Sequence, residues 1–142
     1  MSIAEDSGLI LAARVGKHTD ELIEEIVVST EGKTDCQHWN TDGWGGYERV
    51  LAEDVEHYVG KDRTQKIERT NGILRQQTGR FHRRQNKFSK LWEWTEIVVR
   101  LLVTFVNWIW VNSRKKTTAA QRAKLTTEKW NWGNVCSYST LC

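Results

Sequence analysis

The order of apolar patterns along the chain predicts an α/β fold. Short apolar runs of strand length alternate with amphipathic segments of helical period, in the order strand, helix, strand, short helix, strand, helix, helix. The length, 142 residues, allows one hydrophobic core and is short for two. Hydrophobic residues at 39% and charged residues at 27% exclude a disordered or low-complexity chain.

Each element follows from local chemistry. Leu9 to Val15 is an apolar run between Gly8 and Gly16 and reads as a strand. Thr19 is an N-cap with Asp20 and Glu21 in the first turn, and Leu22, Ile23, Ile26 and Val27 then recur at helical spacing, so a helix runs to about Thr30 and stops near Gly32. Cys36 to Asn40 is a short strand, followed by a turn through Gly43, Gly45 and Gly46 and a short helical piece from Tyr47 to Leu51. His57 to Val59 is another strand, ended by Gly60, and a helix begins near Thr64. A long apolar helix is expected from about Ser89, its cap, to Asn112, with Trp92, Trp94, Trp108 and Trp110 as its core face and Trp92 and Trp110 partly exposed. From Ser113 a polar tail carries Trp130, Asn131 and Trp132, which are expected to dock on the body. The expected organisation is a domain over 1–112 and a tryptophan-containing tail over 113–142. Three strands make a thin sheet for this many helices.

The uncharged stretch Leu101 to Ser113 is too short for a membrane span, and residues 1–30 lack the pattern of a signal peptide, so the expected location is intracellular. Cys36, Cys136 and Cys142 form no C-x-x-C pair, which argues against a disulfide framework and suits a reducing cytoplasm. Cys36 with His38 is the one near-chelating pair, a spacing better explained by packing than by a metal.

Charge is distributed unevenly. The net charge is +3, but residues 1–60 balance to −9, residues 61–90 to +8 and residues 91–142 to +4. No acid lies between Arg75 and Lys90, where Arg80, Arg83, Arg84, Lys87 and Lys90 are interleaved with Phe81, His82 and Phe88. An acid-free basic stretch beside an acidic segment points to a polyanionic partner, nucleic acid first.

Asp42 stands just after a predicted strand, where α/β proteins gather functional groups, and Glu68 lies early in the helix after the next strand. Glu68, Asn71 and Arg75 follow i, i+3, i+7 spacing and share a helix face. Two readings stand on these residues alone: carboxylates that share a divalent cation through hard oxygen donors, or a turn aspartate and a surface ion pair. Gly72 marks either close approach of DNA or a tolerated glycine.

Together the residues resemble a known family. Thr41-Asp42-Gly43-Trp44-Gly45-Gly46-Tyr47-Glu48, Gly60-Lys61, Thr64-Gln65-Lys66-Ile67-Glu68-Arg69-Thr70-Asn71, Leu74-Arg75 and Phe88-Ser89-Lys90 look like the catalytic half of the transposases of insertion sequence one, over about Asp6 to Asn112. The resemblance implies a ribonuclease H-like three-layer fold, here incomplete because the first strands are missing, followed by a long C-terminal helix. It implies a DDE recombinase that cleaves and joins DNA strands at insertion-sequence ends, with Asp42 as the second Asp and Glu68 as the Glu, both ligands of Mg2+ or Mn2+. It implies double-stranded DNA as partner, held by Lys61, Arg69, Asn71, Arg75, Arg80, Arg83, Arg84, Lys87 and Lys90, a homo-oligomer when active, and a cytoplasmic, nucleoid-associated location. Trp44 and Tyr47 either stack on an exposed base or pack the short helix on the sheet.

The family's first Asp has no counterpart before Leu9, and Asp6 matches a turn instead. The chain is therefore expected to be truncated or completed by another reading frame, inactive alone, and aggregation-prone at the open edge of the Leu9 to Val15 strand. The alternative is a non-catalytic DNA-binding remnant that regulates intact transposase.

Overall fold

The computed structural model describes residues 1–78 and 91–138. Within them the order is β1 (Ser2–Ile3), β2 (Ile10–Ala12), α1 (Asp20–Glu31), β3 (His38–Thr41), α2 (Gly46–Val50), β4 (Glu56–Val59), α3 (Gln65–Gln77), α4 (Trp92–Thr104), a π turn (Phe105–Ile109), α5 (Ala119–Arg122) and α6 (Trp132–Ser137). This is a mixed α/β chain in which the described strands form two separate pairs. β1 and β2 are antiparallel, while β3 and β4 are parallel with His38 opposite Glu56 and Thr41 opposite Val59. The parallel pair is made possible by the crossover through α2.

α1 matches its predicted limits because local signals and burial agree. Thr19 is extended as N-cap, its hydroxyl bonds to the Glu21 carboxylate, and that bond, first among the causes, holds Glu21 below its ordinary pKa. Ile23, Ile26 and Val27 are buried with Ile10 and Ala12 of β2, and Leu102, Val106, Ala119 and Ala120 complete the core. Thr30 donates its one hydroxyl proton to the Ile26 carbonyl at 2.6 Å, so the 2.6 Å contact with Ser2 is donated by Ser2 and fastens β1 to α1. Gly46 is required where α2 meets α1, because a Cβ there would lie 2.5 Å from the Trp44 ring and 2.8 Å from Ile23.

Several expectations are corrected. The strand expected over Leu9 to Val15 is confined to Ile10–Ala12, because its partner β1, invisible as a sequence pattern, supplies only two residues. The strand expected over Cys36 to Asn40 starts at His38, since the Cys36 amide turns to the Thr34 hydroxyl at 3.2 Å instead of joining a ladder. The long helix ends its regular turns at Thr104 and closes through the π turn, with the Trp110 amide bonded to the Phe105 carbonyl. Its expected cap, Ser89, lies outside the described residues. Trp94, expected in the core, is 58% exposed, and Trp92, expected to be partly exposed, is 65% exposed; with Leu91, Ile97 and Leu101 they leave an outward apolar surface along α4. Trp108 and Trp110 are half-buried, and the tail does return to the body, with Trp130 4.5 Å from Trp108 and Trp132 6.4 Å from Phe105 between ring centres.

The expected open edge of β2 is also corrected. β1 covers one side, and on the other the buried Asn107 side chain acts as a strand: its Oδ1 accepts from the Ile10 amide at 2.9 Å and its Nδ2 donates to the Ile10 carbonyl at 3.0 Å. Removing that amide orphans two buried backbone groups. Asn107→Ala is therefore expected to lower unfolding free energy by about 2–4 kcal/mol, measured by urea denaturation, whereas a loss below about 0.5 kcal/mol would show that water replaces the pair freely.

Candidate functional site

Asp42 directly follows β3 and is exposed. The buried Thr41 before it donates its hydroxyl proton to the Asp42 carbonyl at 3.1 Å, so the 2.6 Å contact between that hydroxyl and His57 is donated by Nε2–H of the imidazole. Strand β4 thus fixes the backbone of Asp42 through one shared hydroxyl. The half-buried Tyr47 phenol is pushed above its ordinary pKa, first by burial and then by the Asp42 charge.

The aromatic residues after Asp42 are engaged within the protein. Trp44 stacks on His18 with ring centres 4.5 Å apart and meets Tyr47 edge-on at 5.9 Å. Arg49 grips Asp20 through two bonds of 2.8 and 2.7 Å, a bond that holds Asp20 below the ordinary carboxylate range. These contacts seat α2 on α1 and favour packing over base stacking as the role of Trp44 and Tyr47.

α3 supplies the second half. Thr70 is its buried residue, and Lys66, Ile67 and Leu74 share that side by helical geometry. Glu68, Gly72 and Arg75 fall on the opposite, outward side with Asn71 at its margin, and a Cβ added at Gly72 would meet nothing within 4 Å. Glu68, Arg69 and Arg75 are exposed and Asn71 is half-buried, while Lys61 is exposed in the turn before the helix. Arg80, Arg83, Arg84, Lys87 and Lys90 lie outside the described residues.

Glu5 connects the two halves and was not legible as a functional residue. In the turn between β1 and β2, its carboxylate accepts from the Asn40 amide at 3.4 Å and its carbonyl accepts from the Lys66 ammonium. Asn40 precedes Asp42 by two positions, and Lys66 precedes Glu68 by two. One turn therefore ties the carboxyl end of β3 to the start of α3. Asp6 is exposed in the same turn.

Neither the Asp42 nor the Glu68 carboxylate is bonded to another described side chain, and among the described residues no three His, Cys, Asp or Glu side chains gather as a metal cluster. In donor type the two carboxylates suit a hard cation such as Mg2+, which accepts one or two carboxylates and completes its shell with water and phosphate. Cys36 and His38 do not form a ligand pair: the thiol points at the His38 carbonyl at 3.6 Å, and His38 Nδ1 contacts Glu56 at 2.7 Å. An open groove lined by Glu31, Asp35, Cys36, Trp39 and Asp54 lies at the amino end of β3, opposite Asp42, and its acidity repels phosphate.

A family model described as IS1 transposase matches residues 3–118. The chain belongs to the IS1 transposase family. It is 34% identical over 100 residues to the insertion element iso-IS1n protein InsB of Shigella dysenteriae, an alignment that covers 70% of this chain and 72% of that protein. No solved structure matches. Membership gives this IS1-family chain a role in DNA transposition and implies DNA binding. Among the described residues no helix is long and apolar enough to cross a membrane.

The effect of burial and of the Asp42 charge on Tyr47 has a direct readout. Tyrosinate absorbance should show one phenol, absent in Tyr47→Phe, titrating above the ordinary value of about 10. Its folded pKa is raised, so its contribution to stability is intact below the unfolded value and is lost as pH climbs through the folded one. Asp42→Asn should lower that titration part of the way and leave the share due to burial. An unchanged Tyr47 titration in Asp42→Asn would separate the two groups.

Proposed function

We propose that this chain works in DNA transposition as the carboxylate-bearing half of a DDE recombinase of ribonuclease H-like type, with Asp42 and Glu68 as ligands of a divalent cation. The observation that carries the reading is the pair of uncommitted carboxylates, one at the end of β3 and one on the outward face of α3, on elements joined through Glu5, in a chain of the IS1 transposase family. When bound, Mg2+ or Mn2+ would supply Lewis-acid stabilisation for in-line phosphoryl transfer.

The protein groups have separable tasks. His57 and Thr41 hold the backbone that presents Asp42. Lys61, Arg69 and Arg75 are exposed cations, and with Asn71 they suit phosphate oxygens along a DNA backbone; Arg80, Arg83, Arg84, Lys87 and Lys90 extend that charge in the sequence. Phosphate contacts of this kind position DNA and add affinity without reading bases.

Two carboxylates are fewer than the three of a DDE site, so on this reading the active form needs a third carboxylate beside these two. The 142-residue chain, incubated with labelled DNA bearing the element's ends and Mg2+ or Mn2+, is expected to leave strands intact. The same chain joined to the segment carrying the family's first Asp is expected to cleave, and Asp42→Ala or Glu68→Ala should abolish that cleavage. Cleavage by the short chain that vanishes in Asp42→Ala would place the third ligand within it.

DNA binding is tested separately. If about five phosphates are contacted, log affinity should fall with log salt at a slope near −4.5, and Ala at Arg80, Arg83 and Arg84 should flatten it. Binding indifferent to salt would contradict the phosphate-backbone reading.

A further inference from the structure

The segment after the π turn is basic, ordered by its own hydrogen bonds, and unused by the reading above. Residues 113–138 carry six Lys or Arg against Glu128 alone. Arg122 is internal: its guanidinium donates to the Ser7 carbonyl at 2.6 Å and to the Thr117 carbonyl at 2.7 Å, and so fastens the segment to the turn between β1 and β2. The other five, Arg114, Lys115, Lys116, Lys124 and Lys129, are exposed and form no ion pair among the described residues.

Two of these lysines sit in a backbone conformation that suits glycine. Lys116 (φ 56°) and Lys124 (φ 58°) are the only non-glycine residues with positive φ among the described residues. Both are built into closed turns. Around Lys116, the Asn112 side chain accepts from the Arg114 and Lys115 amides at 3.0 Å each, and the Lys116 amide reaches the Asn112 carbonyl at 2.8 Å. Around Lys124, the Leu125 amide bonds to the Ala120 carbonyl and the Lys124 amide to the Gln121 carbonyl, each at 3.0 Å. That is a Schellman ending of α5 with lysine at the position where glycine is favoured. The left-handed conformation disfavours a residue with a Cβ, and neither lysine compensates with an ion pair. What a lysine offers there, and glycine does not, is a cation held on a fixed backbone. Backbone strain clusters at functional sites, and here it is kept at two exposed cations.

We propose that residues 112–129 form a second DNA-backbone contact surface, in which Lys116 and Lys124 hold phosphates beside Arg114, Lys115 and Lys129, in addition to the cations of α3. The proposal rests on the reading of the chain as a DNA-binding transposase. Part of this surface lies beyond residues 3–118, where the IS1 family model matches.

The test uses the full chain, a fluorescein-labelled blunt duplex of unrelated sequence, and the double variant Lys116→Gly/Lys124→Gly. Glycine relieves the strain while removing the charge, so stability and binding should move in opposite directions. The thermal midpoint should rise by about 2–4 °C per site. Affinity should fall on the order of tenfold, and the slope of log affinity against log salt should become shallower by about 1.8. Lys116→Arg/Lys124→Arg should keep the wild-type slope. A double glycine variant that gains stability and binds DNA with unchanged affinity and slope would overturn the proposal. If binding falls in Arg75→Ala and not in the tail variant, the second surface fails while the α3 reading stands; a wild-type chain without salt-sensitive binding overturns both.

Discussion

The two hydrogen bonds between the Asn107 side chain and the backbone of Ile10 are the constraint from which the rest of the arrangement follows. They join positions 97 residues apart, both buried. A primary amide offers one acceptor and donors in the same plane, as a neighbouring strand does, so Asn107 completes β2 without a strand. The π turn brings it there by inserting extra backbone per turn at the end of α4. Leu102, Val106, Ala119 and Ala120 then bury against β2 and α1, and the carboxyl-terminal third of the chain becomes part of the core.

The same constraint reaches the candidate site through a short series of contacts. With β2 held by Asn107 and β1 held by the Ser2–Thr30 hydroxyl bond, the turn between them is fixed. That turn carries Glu5, which bonds Asn40 at the end of β3 and Lys66 at the start of α3, and Ser7, which accepts Arg122. Asp42, Glu68 and the basic tail therefore hang from one antiparallel pair of strands. This explains how a chain with two small sheets can position groups contributed by distant segments.

What the sequence disclosed and what it concealed divide along physical lines. α1 was legible because cap, first-turn acids and the Ile23, Ile26, Val27 stripe agree with burial. β3, β4 and α3 were legible in place, though not in their exact limits, from the glycines that follow each strand and the helical start near Thr64, and Asp42 and Glu68 were singled out by motifs that are specific in combination. β1 was not, since two residues carry no period. The π turn has no residue signature in Phe105 to Ile109, and Asn107 reads as a polar interruption of an apolar helix until its partner is known. Apolar character misplaced Trp94, because a face can be apolar and still exposed. Glu5, Lys116 and Lys124 act through tertiary bonds or backbone conformation, which composition and spacing do not encode.

The charge pattern fits this layout: the acidic amino-terminal segment builds the framework, and cations concentrate on α3, after it, and on the tail. The central functional claim is that Asp42 and Glu68 together hold one divalent cation. It is tested most directly by titrating Mn2+ into isotope-labelled protein and following paramagnetic broadening of backbone amides. The account predicts joint broadening around Asp42–Gly43 and Glu68–Arg69 with one apparent affinity, lost at both places in either Asp42→Asn or Glu68→Gln. Broadening confined to the acidic groove of Glu31, Asp35 and Asp54, or broadening at Asp42 that persists in Glu68→Gln, would contradict it.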